Sequence, residues 1–172
     1  MTLVNRLAEF TVDTRFEDLP SEVVAETKRT LLDSIGCALA GVTSEKGKLG
    51  IKLARQIGGS SECTVIGVGD RLSSLAAAFA NGELINGLDH DPVLLPPGHV
   101  SPFVIPTLLA LGELQKASGK DLILATAIAH EISTRMGQAL RGYRDITEET
   151  LKSGKMDTPP VMGYSCAIFG GA

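Results

Sequence analysis

The sequence predicts a mainly α-helical fold, and three observations carry that prediction. Apolar residues recur every three or four positions along most of the chain. Hydroxyl residues and glycines bracket these segments, where helices open and close. Only one short run, Cys63-Thr64-Val65-Ile66, reads as a strand. With 172 residues, 44% of them hydrophobic, the chain has the size of one multi-helix domain with a sizeable core. At most one short strand pair is expected.

Leu3, Leu7 and Phe10 fall on one helical face and predict a first helix. Ser21 is a candidate cap for the second, with Glu22 and Glu26 in its early turns and Val24, Thr27, Leu31, Ile35 and Leu39 as its stripe. Gly41 closes it. A third helix runs from Glu45 to Ile57 and is stopped by Gly58-Gly59. Ser73 caps a fourth, whose alanines at 76–78 suit close helix packing. Ser101-Pro102 opens a fifth, with a hydroxyl at the cap and a proline where no amide donor is needed. Phe103, Leu108, Leu109 and Leu111 are its expected core face. Ser118-Gly119 separates it from a sixth, over about 120–140, which is apolar nearly all round and expected to be central. A polar stretch follows, with a short helix expected at 147–152. The last eight residues, small and apolar, look like the beginning of a further helix.

Composition excludes several functions. Aromatics are 4% and tryptophan is absent, so stacking platforms for single-stranded nucleic acid are scarce. The net charge of −4 argues against a phosphate backbone as partner. Cys37, Cys63 and Cys166 are odd in number and far apart, with no CxxC pair, so neither a disulfide framework nor a structural zinc site is expected. Free thiols, no membrane-length apolar run and no signal peptide lead to an expected cytoplasmic location.

Two partial motifs fail on their missing residues. Gly67-Val68-Gly69 lacks the third glycine of a dinucleotide loop, because position 72 is Leu72. His130-Glu131 lacks the second histidine of a zinc-protease helix, because position 134 is Thr134. A packed helix histidine is the better reading of His130.

The stretch from Gly87 to Pro102, GLDHDPVLLPPGHVSP, is different. It gathers two carboxylates and two imidazoles in a loop stiffened by Pro92, Pro96 and Pro97. A histidine beside a carboxylate is held in one tautomer and tuned for proton transfer near neutral pH. Gly98 permits close approach, and the helix opening at Pro102 is expected to favour an anion. His99 and Asp89 are therefore the candidate acid–base pair for a carboxylate substrate. An ordinary surface turn with an incidental His–Asp pair is the plainer alternative.

The same stretch resembles part of the MmgE/PrpD family, which includes 2-methylcitrate dehydratase, cis-aconitate decarboxylase and iminodisuccinate epimerase. LAEFTVDTRFEDLPSEVVAETKRTLLDSIGCALAG is similar to that family's opening helices. AAAFANGELINGLDHD resembles its asparagine–glycine pair followed by an LDFDD-like motif. GHVSPFVIPTLLALGE and SGKDLILATAIAHEIS resemble the two segments after it. By position, Asp89 and Asp91 match the first two aspartates of the motif and His99 matches the histidine before its Pro-Ser. The resemblance implies an active-site position for all three and proton transfer by His99. Pro92, Val93 and Asn86 depart from the family's aspartate, threonine and histidine, and PPVMGYS lacks a later histidine, leaving Tyr164 or Ser165 in that space. These departures direct the expectation to another small di- or tricarboxylate.

Family members are more than twice this length. The resemblance thus implies that residues 1–172 form the N-terminal half of an all-helical domain, incomplete without a lid domain that is absent here. The expected function is part of a cofactor-independent lyase (dehydratase or decarboxylase) or isomerase such as an epimerase, moving a proton alpha to a carboxylate. His99 and Asp89 are its catalytic residues. Asp91, His90, Asn86, Ser101 and Tyr164 bind substrate or hold the loop. No metal or organic cofactor is implied. The expected partners are a small polycarboxylate, a second polypeptide carrying the rest of the domain and its lysines, and further copies in a homo-oligomer, with no nucleic acid or membrane. The rival reading is a non-catalytic module or split-enzyme subunit that only scaffolds a partner chain. A carboxylate-binding dehydrogenase is disfavoured by the missing dinucleotide loop.

Overall fold

A computed structural model describes residues 1–94, 98–139 and 167–171. The short helix expected at 147–152, Tyr164, Ser165 and Cys166 lie outside the described residues. The fold is mainly α. In order it has α1 (Leu3–Asp13), a 3-10 turn (Phe16–Asp18), α2 (Ser21–Gly41), α3 (Glu45–Ile57), β1 (Cys63–Thr64), β2 (Arg71–Leu72), α4 (Ser74–Ile85), β3 (Val93–Leu94), β4 (Gly98–His99), α5 (Ser101–Gln115), α6 (Gly119–Ala139) and α7 (Ala167–Gly171). Among the described residues, no helix is long and apolar enough to cross a membrane.

The centre of the packing is α4, which touches α2, α3 and α5. Its alanines make this possible. Ala76, Ala77 and Ala80 are fully buried with Leu84, and short side chains let three neighbours come close to one backbone. On the α2 side the approach is closer still. A Cβ at Gly41 would lie 2.0 Å from the Leu84 carbonyl oxygen, and one at Gly47 would lie 2.1 Å from the Gly41 carbonyl oxygen. This explains why the α2 stripe differs from the expected one. Its buried face keeps the expected Thr27 and Leu31 and continues through the small residues Ser34, Ala38 and Gly41, while Leu39 is 54% exposed.

The helix ends follow local chemistry where the cap is local. Ser44 caps α3 by accepting from the Gly47 amide at 2.9 Å, and Ser73 caps α4 through the Ala76 amide at 3.4 Å. Two expected caps are not caps. Ser21 is the first residue of α2, behind Pro20, and makes no capping bond. Ser101 is the first residue of α5, and its hydroxyl bonds to His130 on α6 instead. The core face of α5 is Val104, Ile105, Pro106 and Ala110, with the expected Leu108 and Leu109 partly buried against it, whereas Phe103 and Leu111 are exposed. Nor is α6 central: it buries only Thr126, Ile128, Ala129, Ser133 and Gly137, against α2, α5 and α7.

Two strand pairs exist where one was expected. β1 and β2 pair antiparallel, with Cys63 opposite Leu72. Buried Asn81 on α4 serves this pair as a strand would. Its Oδ1 accepts from the Ile66 amide and its Nδ2 donates to the Thr64 carbonyl, both at 2.9 Å. The second pair joins β3 to β4, with Val93 opposite His99 and Leu94 opposite Gly98.

His130 ties α6 to α5 as a packed histidine. Its Nδ1 donates to the Thr126 carbonyl at 2.9 Å, so Nε2 accepts the Ser101 hydroxyl at 3.2 Å. Burial holds its pKa below the usual histidine value, against a smaller raising effect from the Thr126 carbonyl.

Two outcomes follow from this packing. Gly41→Ala forces a methyl onto the Leu84 backbone and is expected to cost about 1–3 kcal/mol in urea unfolding. Gly36→Ala, on an exposed turn of the same helix with nothing within 4 Å of its Cβ, is expected to be neutral or to stabilise by up to about 1 kcal/mol. For His130, the unfolded chain takes up a proton first as pH falls below about 6.5, because the folded pKa is lower. Stability is therefore full above that pH and declines down to the folded pKa. His130→Gln is expected to flatten this part of the unfolding-versus-pH curve.

Candidate active site

The C-terminal end of α4, the turn after it and the β3–β4 hairpin build the site. Asn86 is the C-cap of α4, and its carbonyl accepts the Asp89 amide at 3.1 Å. Asp89 turns the chain with a positive φ of 56°, which aspartate tolerates better than most residues. The hairpin then returns the chain so that His99 lies beside Asp91. Gly98 enables this through its backbone, at φ 112°; a Cβ there would meet nothing within 4 Å, so close approach is not its role.

His99 Nδ1 lies 2.8 Å from Asp91 Oδ2. A carboxylate accepts, so Nδ1 donates and the ring's basic lone pair is on Nε2. His99 Nε2 lies 3.5 Å from Asp89 Oδ1. The other oxygen of Asp91 accepts from Asn86 Nδ2 at 2.8 Å. Exposure separates the two acids: the Asp91 side chain is 0% exposed, Asp89 is 80% exposed, and His99 between them is 18% exposed.

This arrangement exchanges the two expected roles. Asp89 was expected to orient His99, with Asp91 holding the loop. The structure puts Asp91 on Nδ1 in the buried orienting position and Asp89 at the solvent side of Nε2. Sequence spacing could not separate them, since the choice depends on which carboxylate the hairpin covers. His90 is exposed on the same turn, outside this group. Ser101 is buried and engaged with His130, so it holds the start of α5 from within.

The anion site expected at the α5 opening is not available as such. Pro102 has no amide proton, and the Phe103 and Val104 amides both bond to the Val100 carbonyl, at 3.0 and 3.2 Å. On the α2 side, Cys37 is half-buried, and its thiol is pushed up first by burial and then by the charges of Asp33 and Asp91. It stays a protonated thiol at neutral pH. Lys46 is a cation that sequence reasoning missed: its Nζ donates to Asn86 Oδ1, and Glu83 Oε2 lies 3.6 Å away. The two residues are forty positions apart, and no local pattern joins them.

Asp89, Asp91 and His99 each offer a potential metal-ligand atom within 4.8 Å of the others. The Nδ1–Asp91 contact is already a good hydrogen bond, so a cation shared by all three would have to break it. As it stands, the arrangement suits a histidine that takes or gives a proton at Nε2, oriented from behind by a buried carboxylate.

The MmgE/PrpD N-terminal domain matches residues 5–161. Cis-aconitate decarboxylase of Aspergillus terreus is 30% identical over 132 residues, covering 73% of this chain and 27% of that protein. Cis-aconitate decarboxylase of Homo sapiens is 34% identical over 123 residues, covering 69% of this chain and 26% of that protein. A cis-aconitate decarboxylase-like protein of Aspergillus oryzae is 28% identical over 169 residues, covering 94% and 34%. The chain thus spans about a quarter to a third of the length of these relatives. With that match running through the turn and hairpin that carry Asp89, Asp91 and His99, the chain belongs to the MmgE/PrpD family, a family of enzymes that includes lyases.

Proposed function

We propose that this chain supplies one wall of an active site in which His99 Nε2 moves a proton at the carbon alpha to a carboxylate of a small di- or tricarboxylate. The observation that carries the reading is the placement of His99 between buried Asp91 on Nδ1 and solvent-facing Asp89 near Nε2. A general base needs a fixed ring and a lone pair on the nitrogen that meets the substrate, and the Asp91 hydrogen bond fixes the ring and leaves the lone pair on Nε2. Asp89 stabilises the imidazolium that forms when Nε2 takes the proton, and so keeps it ready to return it.

The relatives are named for decarboxylation of cis-aconitate, which supports a tricarboxylate substrate and a lyase reaction. When carbon dioxide leaves, the bonding electrons stay on the carbon skeleton and a proton must arrive there; protonated His99 is positioned to give it. Dehydration and epimerisation use the same site in the opposite sense, starting with proton removal. The carboxylate's developing negative charge requires cations. Lys46 is engaged by Asn86 and Glu83, so we assign them to the polypeptide that completes the domain. Residues 1–172 are then the N-terminal part of the helical domain, completed by a further segment and a lid. Large exposed apolar side chains, such as Leu32 on α2 and Leu75 on α4, support a covering of that kind.

The test is solvent deuterium exchange into a panel of small polycarboxylates, using the chain together with the polypeptide that completes it. His99→Ala is expected to lower exchange at least about a hundredfold, as for loss of a general acid–base group. Exchange at the unaltered rate removes His99 from the chemistry and favours a module that only scaffolds its partner.

A further inference from the structure

We infer that Val93 is the specificity-determining residue beside His99, and that it selects a substrate with hydrocarbon, not a hydroxyl, against the imidazole. The register of the hairpin carries this. Val93 on β3 is directly opposite His99 on β4. Directly opposed residues of an antiparallel pair point to the same face, with Cβ atoms about 5 Å apart. Leu94, one position on, is opposite Gly98 and points to the other face. Asp91, two residues before Val93 and so of the same parity, meets the ring at Nδ1, 2.8 Å away. Val93 is 49% exposed, so its isopropyl group is open to whatever approaches the ring.

The polar side chains placed around the ring are committed elsewhere. Asp91 is buried between His99 and the Asn86 amide. Asn86 donates to Asp91 and accepts from Lys46. The Ser101 hydroxyl is engaged with His130. Asp89 is open to solvent, but it lies at Nε2, where the exchanging hydrogen must come. A hydroxyl laid against Val93 thus gives up water and meets methyl groups. A methyl, methylene or alkene carbon gains by the same contact. The inference rests on the proton-transfer reading above, and it narrows the substrate to an alkyl- or alkenyl-polycarboxylate, setting hydroxy acids aside. A closed apolar pocket discriminates against an added hydroxyl by about a hundredfold. Val93 is a single half-exposed wall, so a preference of about tenfold is expected.

The experiment is calorimetric titration of the chain, together with the polypeptide that completes it, with two pairs of ligands. Methylsuccinate and malate differ as methyl against hydroxyl, and tricarballylate and citrate as hydrogen against hydroxyl. The wild-type protein is expected to bind the member without the hydroxyl about tenfold more tightly in each pair. Val93→Thr keeps the shape and replaces one methyl by a hydroxyl; it is expected to bring the members of each pair level or to reverse their order. Threonine suits a strand as valine does, so the hairpin is expected to be kept. Leu94→Thr makes a comparable change on the other face and is expected to keep the wild-type preference. An unaltered preference in Val93→Thr, or an equal loss of it in Leu94→Thr, overturns the inference. Titration needs no turnover, which separates this inference from the reading it rests on. If His99→Ala abolishes deuterium exchange while Val93→Thr leaves the preference unaltered, proton transfer by His99 stands and the specificity role fails. If His99→Ala retains full exchange while Val93→Thr levels the pairs, the proton-transfer reading fails and Val93 still decides which ligand binds.

Discussion

The constraint on which the site depends is the burial of the Asp91 carboxylate. A carboxylate removed from water must be met by donors, and leaving one without a partner costs about 3–5 kcal/mol. Among the described residues Asp91 meets two, the Asn86 amide and the His99 ring, one on each oxygen. Each arrives by a different route: Asn86 as the last turn of α4 ends, and His99 by the return strand of a short hairpin. The hairpin and the end of α4 are therefore tied to one another through a single buried side chain. A histidine intended for proton transfer gains a fixed ring by being one of those two donors.

That carboxylate sits where it does because α4 can be approached so closely. Alanines at 76, 77 and 80, and glycines at 41 and 47 on the neighbouring helices, bring backbones near contact. Larger residues at those positions would push α2 and α3 outward, and with them Lys46. The chemistry at the end of α4 and the small residues along its length are thus one design. The packing sets the distance, and the polar groups use it.

Much of this was legible in the sequence where the signal is local. The bounds of α3, Glu45 to Ile57 with Gly58-Gly59 as the stop, are kept by the structure, which adds Ser44 as the cap in front. The grouping of Asp89, Asp91 and His99 followed from a proline-rich loop and from family resemblance. Signals that act through space were not legible. The expected stripe on α2 followed side-chain hydrophobicity, whereas the buried face follows the space that α4 leaves. Ser101 was read as a cap because its sequence neighbours suit one, but its hydroxyl serves a histidine twenty-nine residues away. Asp89 and Asp91 are indistinguishable in spacing; only the path of the hairpin decides which is covered. Asn81, which completes the edge of β1 from a helix, carried no local mark at all.

The departures from the family pattern acquire a physical meaning in this setting. Asn86 is at once the cap of α4, a donor to Asp91 and an acceptor for Lys46. Its amide suits that place because it can satisfy an acid and a base at the same time. The central claim, that His99 Nε2 faces the reacting carbon while Nδ1 stays on Asp91, is tested most directly by a crystal structure of the completed enzyme with a bound tricarboxylate. The account predicts a substrate carbon alpha to a carboxylate within about 3.5 Å of Nε2, with the Asp91 hydrogen bond intact. A ligand bound away from His99, or a ring turned so that Nε2 meets Asp91, would contradict it.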